Sequence, residues 1–228
     1  MLQLNGQHSL KSGVLLLESR TIQIHCNQNR EIVLSIIPGH FATSHSHVNY
    51  YIDMTGIKHH YRIAKQAAEF MAQQYVHSVP VDTIVCMDGC EVIGAFLAEE
   101  LSKSGISSLN EGTDIKIITP EYPNGQLLFR DNVQDMVWNK NILLLVASAT
   151  TGKTISRSLD CIRYYGGRIV GISAIFSAIP KINDVKIDSV FTSEDLPNYG
   201  TYPVSECPYC EKGQKIDAII NSFGYSKI

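Results

Sequence analysis

NILLLVASATTGKT, residues 141–154, joins an apolar run directly to a loop of threonines, glycine and lysine. Residues 142–146 are continuously apolar, as is typical of a strand that is buried on both faces of a parallel sheet. Residues 150–154 stand where an amphipathic helix begins, and Gly166-Gly167 marks its end. The first N–H groups of a helix lack partners and carry partial positive charge, and Gly152 lets the backbone approach an anion closely. The stretch therefore predicts a strand–loop–helix unit that binds a phosphate monoester; the alternative is an ordinary strand-to-helix turn.

Two phosphate-binding patterns fit this loop, and the first is the Walker A pattern of P-loop NTPases. Ala147 replaces its first glycine, while Gly152-Lys153-Thr154 falls in register. Such an enzyme also needs a downstream apolar strand that ends in an Asp, which holds Mg²⁺. The next apolar run, residues 168–176, ends in Ser177 and Ala178 instead. A P-loop NTPase is therefore the less favoured alternative.

The second pattern is that of the type I phosphoribosyltransferases, which this chain resembles over most of its length, most closely the orotate phosphoribosyltransferases. Three segments match in order: FATSHSHVNYYID at 41–53, VDTIVCMDGC at 81–90 and ATTGKT at 149–154. In the family these are an N-terminal segment, the loop that holds pyrophosphate, and the loop that holds the 5′-phosphate of phosphoribosyl pyrophosphate. The resemblance implies an α/β fold with a parallel-sheet, Rossmann-like core, a small N-terminal hood subdomain and a flap hairpin.

The resemblance also implies a reaction and a set of site residues. An orotate phosphoribosyltransferase-like transferase joins a pyrimidine-type base to phosphoribosyl pyrophosphate and releases pyrophosphate, with Mg²⁺ carried by the substrate. Asp88 would reach Mg²⁺ or its waters, and Arg130 on the flap would be the catalytic cation that neutralises the leaving group. The implied substrate-binding residues are Met87, Asp88, Gly89 and Cys90 around the pyrophosphate, Ser148 beside the ribose, and Ala149, Thr150, Thr151, Gly152, Lys153 and Thr154 around the 5′-phosphate.

The chain departs from the family pattern at charged positions. The family's acidic pair, which accepts hydrogen bonds from the ribose hydroxyls, falls on Val146 and Ala147, and residues 117–131 carry Arg130 as their only cation. Losing a charge-assisted hydrogen bond removes about 1.5–3 kcal/mol. We therefore expect weak binding of phosphoribosyl pyrophosphate and slow turnover, and we expect V146E combined with A147D to strengthen ribose binding. The same departures favour an alternative of another class, a non-catalytic regulator that binds a nucleotide or phosphoribosyl pyrophosphate.

Composition and charge fit a globular chain and argue against several partners. The 228 residues carry a net charge of −3, with 44% hydrophobic and 18% charged residues. The lack of a Lys/Arg stripe argues against nucleic acid, and no apolar run approaches the roughly 20 residues of a membrane-spanning helix. Residues 1–13 have no basic start followed by an apolar core, so we expect no signal peptide and a cytoplasmic protein. The resemblance implies a homodimer, with Trp138 on the flap as a contact residue.

Cys207-Pro-Tyr-Cys210 stands apart from the other cysteines. Two thiols at this spacing can share a metal ion or form a redox pair, and a tetrahedral Zn²⁺ would need two more ligands. The favoured alternative is a structural role at the start of a predicted last helix over residues 211–223, with zinc and redox chemistry left open. The remaining cysteines lie in or near apolar stretches and are expected to be reduced core residues: Cys26, Cys86, Cys90 and Cys161.

Four histidines lie in or near the N-terminal family segment: His45, His47, His59 and His60. His45 and His47 share a face only in an extended strand, and no acid or cysteine nearby completes a set of metal ligands. We therefore favour a role in lining the base or pyrophosphate pocket over a metal site.

The order of predicted elements divides the chain into three segments. Residues 1–78 form the hood segment, with a strand that Pro38-Gly39 ends and a helix over 57–75. Residues 79–195 form the core, with the flap at 120–140, and residues 196–228 hold the CPYC segment and the last helix. The predicted core strands cover residues 83–87, 114–119, 142–147, 168–176 and 186–192. Since strands alternate with helices, we expect a parallel sheet whose carboxyl edge carries both phosphate loops.

Overall fold

Two β-sheets organise the part of the chain that the structure, a computed structural model, describes: residues 17–103, 108–123 and 126–228. Residues 124–125 of the predicted flap hairpin lie outside the described residues. The strands are β1 Ile22–His25, β2 Val33–Ala42, β3 His47–Asp53, β4 Thr83–Cys86, β5 Lys116–Ile118, β6 Asn141–Ala149, β7 Arg168–Ser177, β8 Lys181–Ile182, β9 Val185–Thr192, β10 Thr201–Tyr202, β11 Ala218–Asn221 and β12 Gly224–Lys227. The α-helices are α1 Thr55–His59, α2 Tyr61–Ala72, α3 Glu91–Ser102, α4 Asp131–Gln134, α5 Lys153–Tyr164 and α6 Pro208–Glu211.

The core sheet has the strand order β5-β4-β6-β7-β9-β8, and all of its neighbours are parallel except the β8–β9 pair. Strand β4 pairs with β5 on one side and with β6 on the other, so the order of the sheet reverses between β4 and β6. In open α/β sheets, such a switch point is where ligands bind, beyond the carboxyl ends of the strands. The predicted α/β fold with a parallel-sheet core is confirmed.

Strand β6 is buried because its side chains alternate between two apolar clusters. Leu143, Leu145 and Ala147 pack with residues of α2 and α3 on one face of the sheet. Leu144 and Val146 pack with residues of α5 on the other face. A strand covered on both faces reads as a continuous apolar run, which is why residues 142–146 have no polar member.

The second sheet combines the N-terminal strands with the C-terminal end of the chain. Strand β2 pairs with β1, β3 and β11, while β10 pairs with β3 and β12 pairs with β11. The predicted last helix over residues 211–223 is wrong, because the helix there is only the short α6 and residues 218–227 form the β11–β12 hairpin. Two local hydrogen bonds, from the N–H groups of Phe223 and Gly224 to Asn221 Oδ1, stabilise the turn of this hairpin.

Two smaller sequence predictions in the hood segment are also wrong. Pro38-Gly39 does not end a strand; β2 runs through it, and the pairing with β3 shifts register between Pro38 and Phe41. The helix predicted over residues 57–75 is divided into α1 and α2 by His60, whose backbone is extended.

The flap segment, residues 120–140, packs partly onto the core. Glu121 and Leu128 form an antiparallel bridge, as expected of a hairpin, while Phe129 and Val137 are buried in the α5-side cluster. Trp138 remains 67% exposed. None of the described helices has the length and apolar character needed to cross a membrane.

Candidate functional site

A cleft of about 440 Å³ lies beyond the carboxyl ends of β4 and β6, where the sheet order reverses. Its floor is formed by Asp88 after β4 and by residues 150–155 after β6. The hood segment at 43–55 and the C-terminal hairpin at 219–223 form its walls. The sequence-predicted residues that line the cleft are Asp88, Ser148, Thr150, Thr151, Gly152, Lys153 and Thr154.

The loop after β6 presents unpaired backbone donors to this cleft. Helix α5 begins at Lys153, and no side chain caps it at Gly152. Within the described residues, no acceptor pairs with the backbone N–H groups of residues 151–154. Lys153 is exposed and adds an ammonium at the same rim. The arrangement offers an anion several N–H donors, the positive end of a twelve-residue helix and one formal positive charge.

The backbone conformation and the close packing at residue 152 both require glycine, and the residue also lines the cleft. Its φ of +73° lies in the left-handed region, which favours glycine. A Cβ at this position would lie 2.3 Å from Ile182 Cδ1 and 3.1 Å from Ile179 Cδ1. A larger residue at 152 would therefore strain the backbone and force the side chain of Ile182 to move, in addition to any effect on a bound phosphate.

Asp88 is the carboxylate that faces the cleft among the residues lining it. Burial raises the pKa of this carboxyl group, while the nearby Ser222 side chain, the Ala147 backbone and the Lys58 ammonium act in the opposite direction. The buried ammonium of Lys58 donates to the carbonyl oxygens of Asp88, at 2.8 Å, and of Ser222, at 2.5 Å. Lys58 thus ties the loop after β4 to the C-terminal hairpin and holds Asp88 in its left-handed conformation, with a φ of +59°.

Several predicted residues do not reach the cleft. Met87, Cys90 and Ala149 are buried in the core, and Gly89 is absent from the lining. Arg130 is exposed and pairs through two nitrogens with the carboxylate of Glu121, at 3.0 and 2.7 Å. Its role as the leaving-group cation, like the pyrophosphate role of the loop after β4, stays a prediction.

The positions of the family's acidic pair are buried in the apolar core. Val146 is 2% exposed and Ala147 is fully buried, and their side chains belong to the two clusters on opposite faces of the sheet. Their location explains why apolar residues are well suited to these positions in this chain.

Sequence reasoning missed the C-terminal wall of the cleft. Ile219, Ile220 and Asn221 reach it because β11 lies parallel to β2, from which it is separated by more than 170 residues. The pairing leaves no local pattern, and the run Ala-Ile-Ile has neither helical nor strand periodicity. Lys58 gave no signal either, since an isolated lysine is usually exposed.

Four side chains on the second sheet and in the CPYC segment could hold a metal ion: His40, His47, Cys207 and Cys210. Their ligand atoms all lie within 4.8 Å of one another. The expectation that no cysteine completes a set of ligands around His47 is therefore wrong. The prediction failed because Cys207 and Cys210 are about 160 residues from His47 in the sequence, and no local pattern connects them with His47 or His40.

The parallel sheet, with loops that open into a cleft at its switch point, has the fold of the type I phosphoribosyltransferases. Solved structures of that class match the chain: adenine phosphoribosyltransferase of Thermoanaerobacter pseudethanolicus has 15% identity and a TM-score of 0.50 over 77% of this chain and 97% of that one. A phosphoribosyltransferase of Corynebacterium diphtheriae has 16% identity and a TM-score of 0.49, over 71% of this chain and 90% of that one. UMP synthase of Leishmania donovani has 13% identity and a TM-score of 0.51 over 78% of this chain, which spans only 36% of that protein.

Comparisons with protein-family models and with curated proteins find no match. At the identities of the solved structures, the likeness shows the fold alone. The expected resemblance to type I phosphoribosyltransferases is confirmed at that level.

Proposed function

We propose that the cleft binds phosphoribosyl pyrophosphate and that the protein transfers its phosphoribosyl group to a pyrimidine-type base, as in orotate phosphoribosyltransferases. The observation that carries the proposal is the set of unpaired N–H groups at residues 151–154, which face a cleft at the switch point of the sheet. A 5′-phosphate on this loop would place the ribose over Ser148 and towards Asp88. The fold and the order of the three family segments support the same substrate.

Asp88 would supply the carboxylate that the family takes from its acidic pair. It follows strand β4, which pairs with β6, and it lines the same cleft as Ser148. A carboxylate there can accept hydrogen bonds from ribose hydroxyls or from water bound to substrate Mg²⁺. One such group replaces two, so we expect slower turnover than an enzyme with the full pair would show.

The transfer would rest on positioning and on charge rather than on a protein nucleophile. The bond between ribose C1 and the pyrophosphate oxygen weakens as positive charge develops on the sugar, and the nitrogen of the base forms the new bond. Holding both phosphate ends and the base in one cleft lowers the entropic part of the barrier. Side chains of the hood segment that line the cleft, such as the half-buried Tyr50 and the exposed Ser44, would contact the base.

Release of pyrophosphate tests the proposal. Purified protein is incubated with phosphoribosyl pyrophosphate, Mg²⁺ and one base at a time, including orotate, uracil and adenine. We expect release only with a pyrimidine-type base. Release with adenine alone would contradict the assignment of the base, and release with none would refute the transferase proposal.

A matched pair of variants on α5 tests the phosphate loop. K153M removes the cation at the cleft, whereas R157M removes an equally exposed cation one turn later, outside the cleft lining. A charge-assisted contact of about 1.5–3 kcal/mol corresponds to roughly tenfold to hundredfold weaker binding for K153M. We expect R157M to bind as the wild type does in calorimetry.

A second function is favoured by one specific observation, the absence of a cation from the leaving-group side of the cleft lining in the described residues. The described residues that line the cleft include one lysine, Lys153, and no arginine, and Lys153 lies at the proposed 5′-phosphate loop. A protein that binds phosphoribosyl pyrophosphate or a nucleotide without neutralising pyrophosphate would act as a regulator. Tight binding in calorimetry together with no turnover on any base would support this alternative.

A further inference from the structure

We propose that His40, His47, Cys207 and Cys210 bind a structural Zn²⁺ ion. The proposal is independent of the phosphoribosyl function, since none of these four residues lines the cleft. Two imidazoles and two thiolates are a donor set typical of closed, tetrahedral zinc sites.

The distances between the ligand atoms approach those of a zinc tetrahedron. Bonds of about 2.0–2.1 Å to nitrogen and 2.3 Å to sulfur give edges of roughly 3.3 Å between nitrogens and 3.6 Å between nitrogen and sulfur. The His40 Nε2–His47 Nδ1 distance is 3.0 Å. Sulfur lies 3.4 Å (Cys207) and 3.7 Å (Cys210) from His40 Nε2, and Cys210 Sγ lies 3.3 Å from His47 Nδ1. Since no pair exceeds 4.8 Å, a metal would require at most about 1 Å of adjustment.

Hydrogen bonding alone does not account for this cluster. The Nε2 atom of an imidazole has one bonding position, either a lone pair or an N–H. Three polar atoms nevertheless surround His40 Nε2 within 3.7 Å. His40 is fully buried, and Cys207 and His47 are 1% and 6% exposed, so water cannot satisfy them freely. One cation at the common centre would satisfy all four ligand atoms at once.

A hydrogen bond at the outer nitrogen of His40, Nδ1, already orients the imidazole for metal binding through Nε2. His40 Nδ1 lies 2.9 Å from the carbonyl oxygen of Gln214. Donation by Nδ1–H to this carbonyl leaves the lone pair of Nε2 directed at the cluster, which is the usual arrangement around a zinc-bound histidine. The ring of Tyr209 stacks on the same imidazole, with centroids 5.4 Å apart, and fixes its plane.

The position of the site in the fold assigns it a structural role. His40 lies on β2 and His47 on β3, whereas the cysteines lie between β10 and β11, which pair with β3 and β2. The ion would therefore hold the C-terminal segment on the second sheet, between the pairing of β10 with β3 and the pairing of β11 with β2. Residues 219–223 follow this anchor and form a wall of the cleft, so loss of zinc should loosen that wall as well.

Metal analysis of the purified full chain tests the site. We expect about one zinc per chain in the wild type and at least a fivefold loss in C210S and in H47Q. C161S and H59Q are matched controls, because they remove a cysteine and a histidine outside the cluster, and both should keep the metal. Equal zinc contents in C210S, H47Q and the controls would overturn the assignment of the ligands.

Cobalt substitution keeps the test valid if the ligand variants fail to fold. Wild-type protein in which Co²⁺ replaces the metal should show the strong visible bands of tetrahedral cobalt and a thiolate-to-cobalt charge-transfer band. Addition of Zn²⁺ should abolish both, and the cobalt-free, zinc-free protein should unfold at a lower temperature. Wild-type protein that binds neither ion after reduction, or that is isolated with a Cys207–Cys210 disulfide in place of a metal, would overturn the proposal.

Discussion

Restoring the family's acidic pair should destabilise this protein rather than strengthen its binding of ribose. In V146E combined with A147D, two carboxylates would replace side chains that are 2% and 0% exposed and packed on opposite faces of the core sheet. The expectation from sequence, that the double variant binds ribose more tightly, assumed that both positions face the ligand. The structure removes the basis for that assumption.

The magnitudes decide the sign of the effect. An uncompensated buried charge costs about 3–5 kcal/mol, so two of them cost roughly 6–10 kcal/mol. This is comparable to the whole stability of a typical domain, about 5–15 kcal/mol. The possible gain, about 1.5–3 kcal/mol for each contact with a ribose hydroxyl, exists only in the bound state. The Asp88 carboxyl group, which lies near the backbone of Ala147, would add like-charge repulsion when it is ionised.

Urea unfolding followed by circular dichroism, with calorimetry on any folded variant, measures both effects. We expect the double variant to lose at least about 5 kcal/mol of unfolding free energy. The neutral change V146Q with A147N, which has nearly the same size, should lose less. S148D places a carboxylate on the adjacent, half-exposed, cleft-lining residue and should cost about 1 kcal/mol or less. A double variant as stable as S148D that binds phosphoribosyl pyrophosphate more tightly would refute the argument from burial.

Three further predictions concern single positions. G152V should lower the melting temperature as well as weaken phosphate binding, because its side chain would collide with Ile182; a variant with unchanged stability would contradict the predicted contact. Burial raises the pKa of Asp88 in the folded state, so its ionisation costs stability as the pH rises from the unfolded value through the folded one. D88N, whose asparagine tolerates positive φ, should therefore gain stability relative to the wild type as the pH rises above about 4, the unfolded value of an aspartate, while binding phosphoribosyl pyrophosphate less tightly. If D88N instead lost stability relative to the wild type over this rise in pH, the sign would be wrong. The exposed Trp138 should change its fluorescence when the protein dimerises, and light scattering that gives the 25.3 kDa monomer at micromolar concentration would contradict a homodimer.

The sequence predicted the core of this protein well because its signals are local. Strand β6, the loop after it and helix α5 follow one another without interruption. A continuous apolar run indicates the strand, threonines and a glycine indicate the loop, and amphipathic spacing that ends at Gly166-Gly167 indicates the helix. The same holds for β4, β7 and β9, whose predicted and observed bounds differ by at most one residue at each end. Since parallel strands present their carboxyl ends at one edge, the position of the cleft followed from the order of elements alone.

The C-terminal part was predicted poorly because its structure depends on partners far away in the chain. Strand β11 is an apolar run of ambiguous periodicity, and it forms a strand through pairing with β12 and with the distant β2. His40, likewise, lies next to Cys207 only after β2 and the CPYC segment have come together. The burial of Val146 and Ala147 was equally invisible, since a motif position does not show which way its side chain points.

A crystal structure of the protein with phosphoribosyl pyrophosphate and Mg²⁺ tests the central claim most directly. We expect the 5′-phosphate to accept hydrogen bonds of about 2.7–3.2 Å from the backbone N–H groups of residues 151–154, with the ribose directed towards Asp88. A ligand bound elsewhere, or a loop whose N–H groups are paired with acceptors of the protein itself, would contradict it.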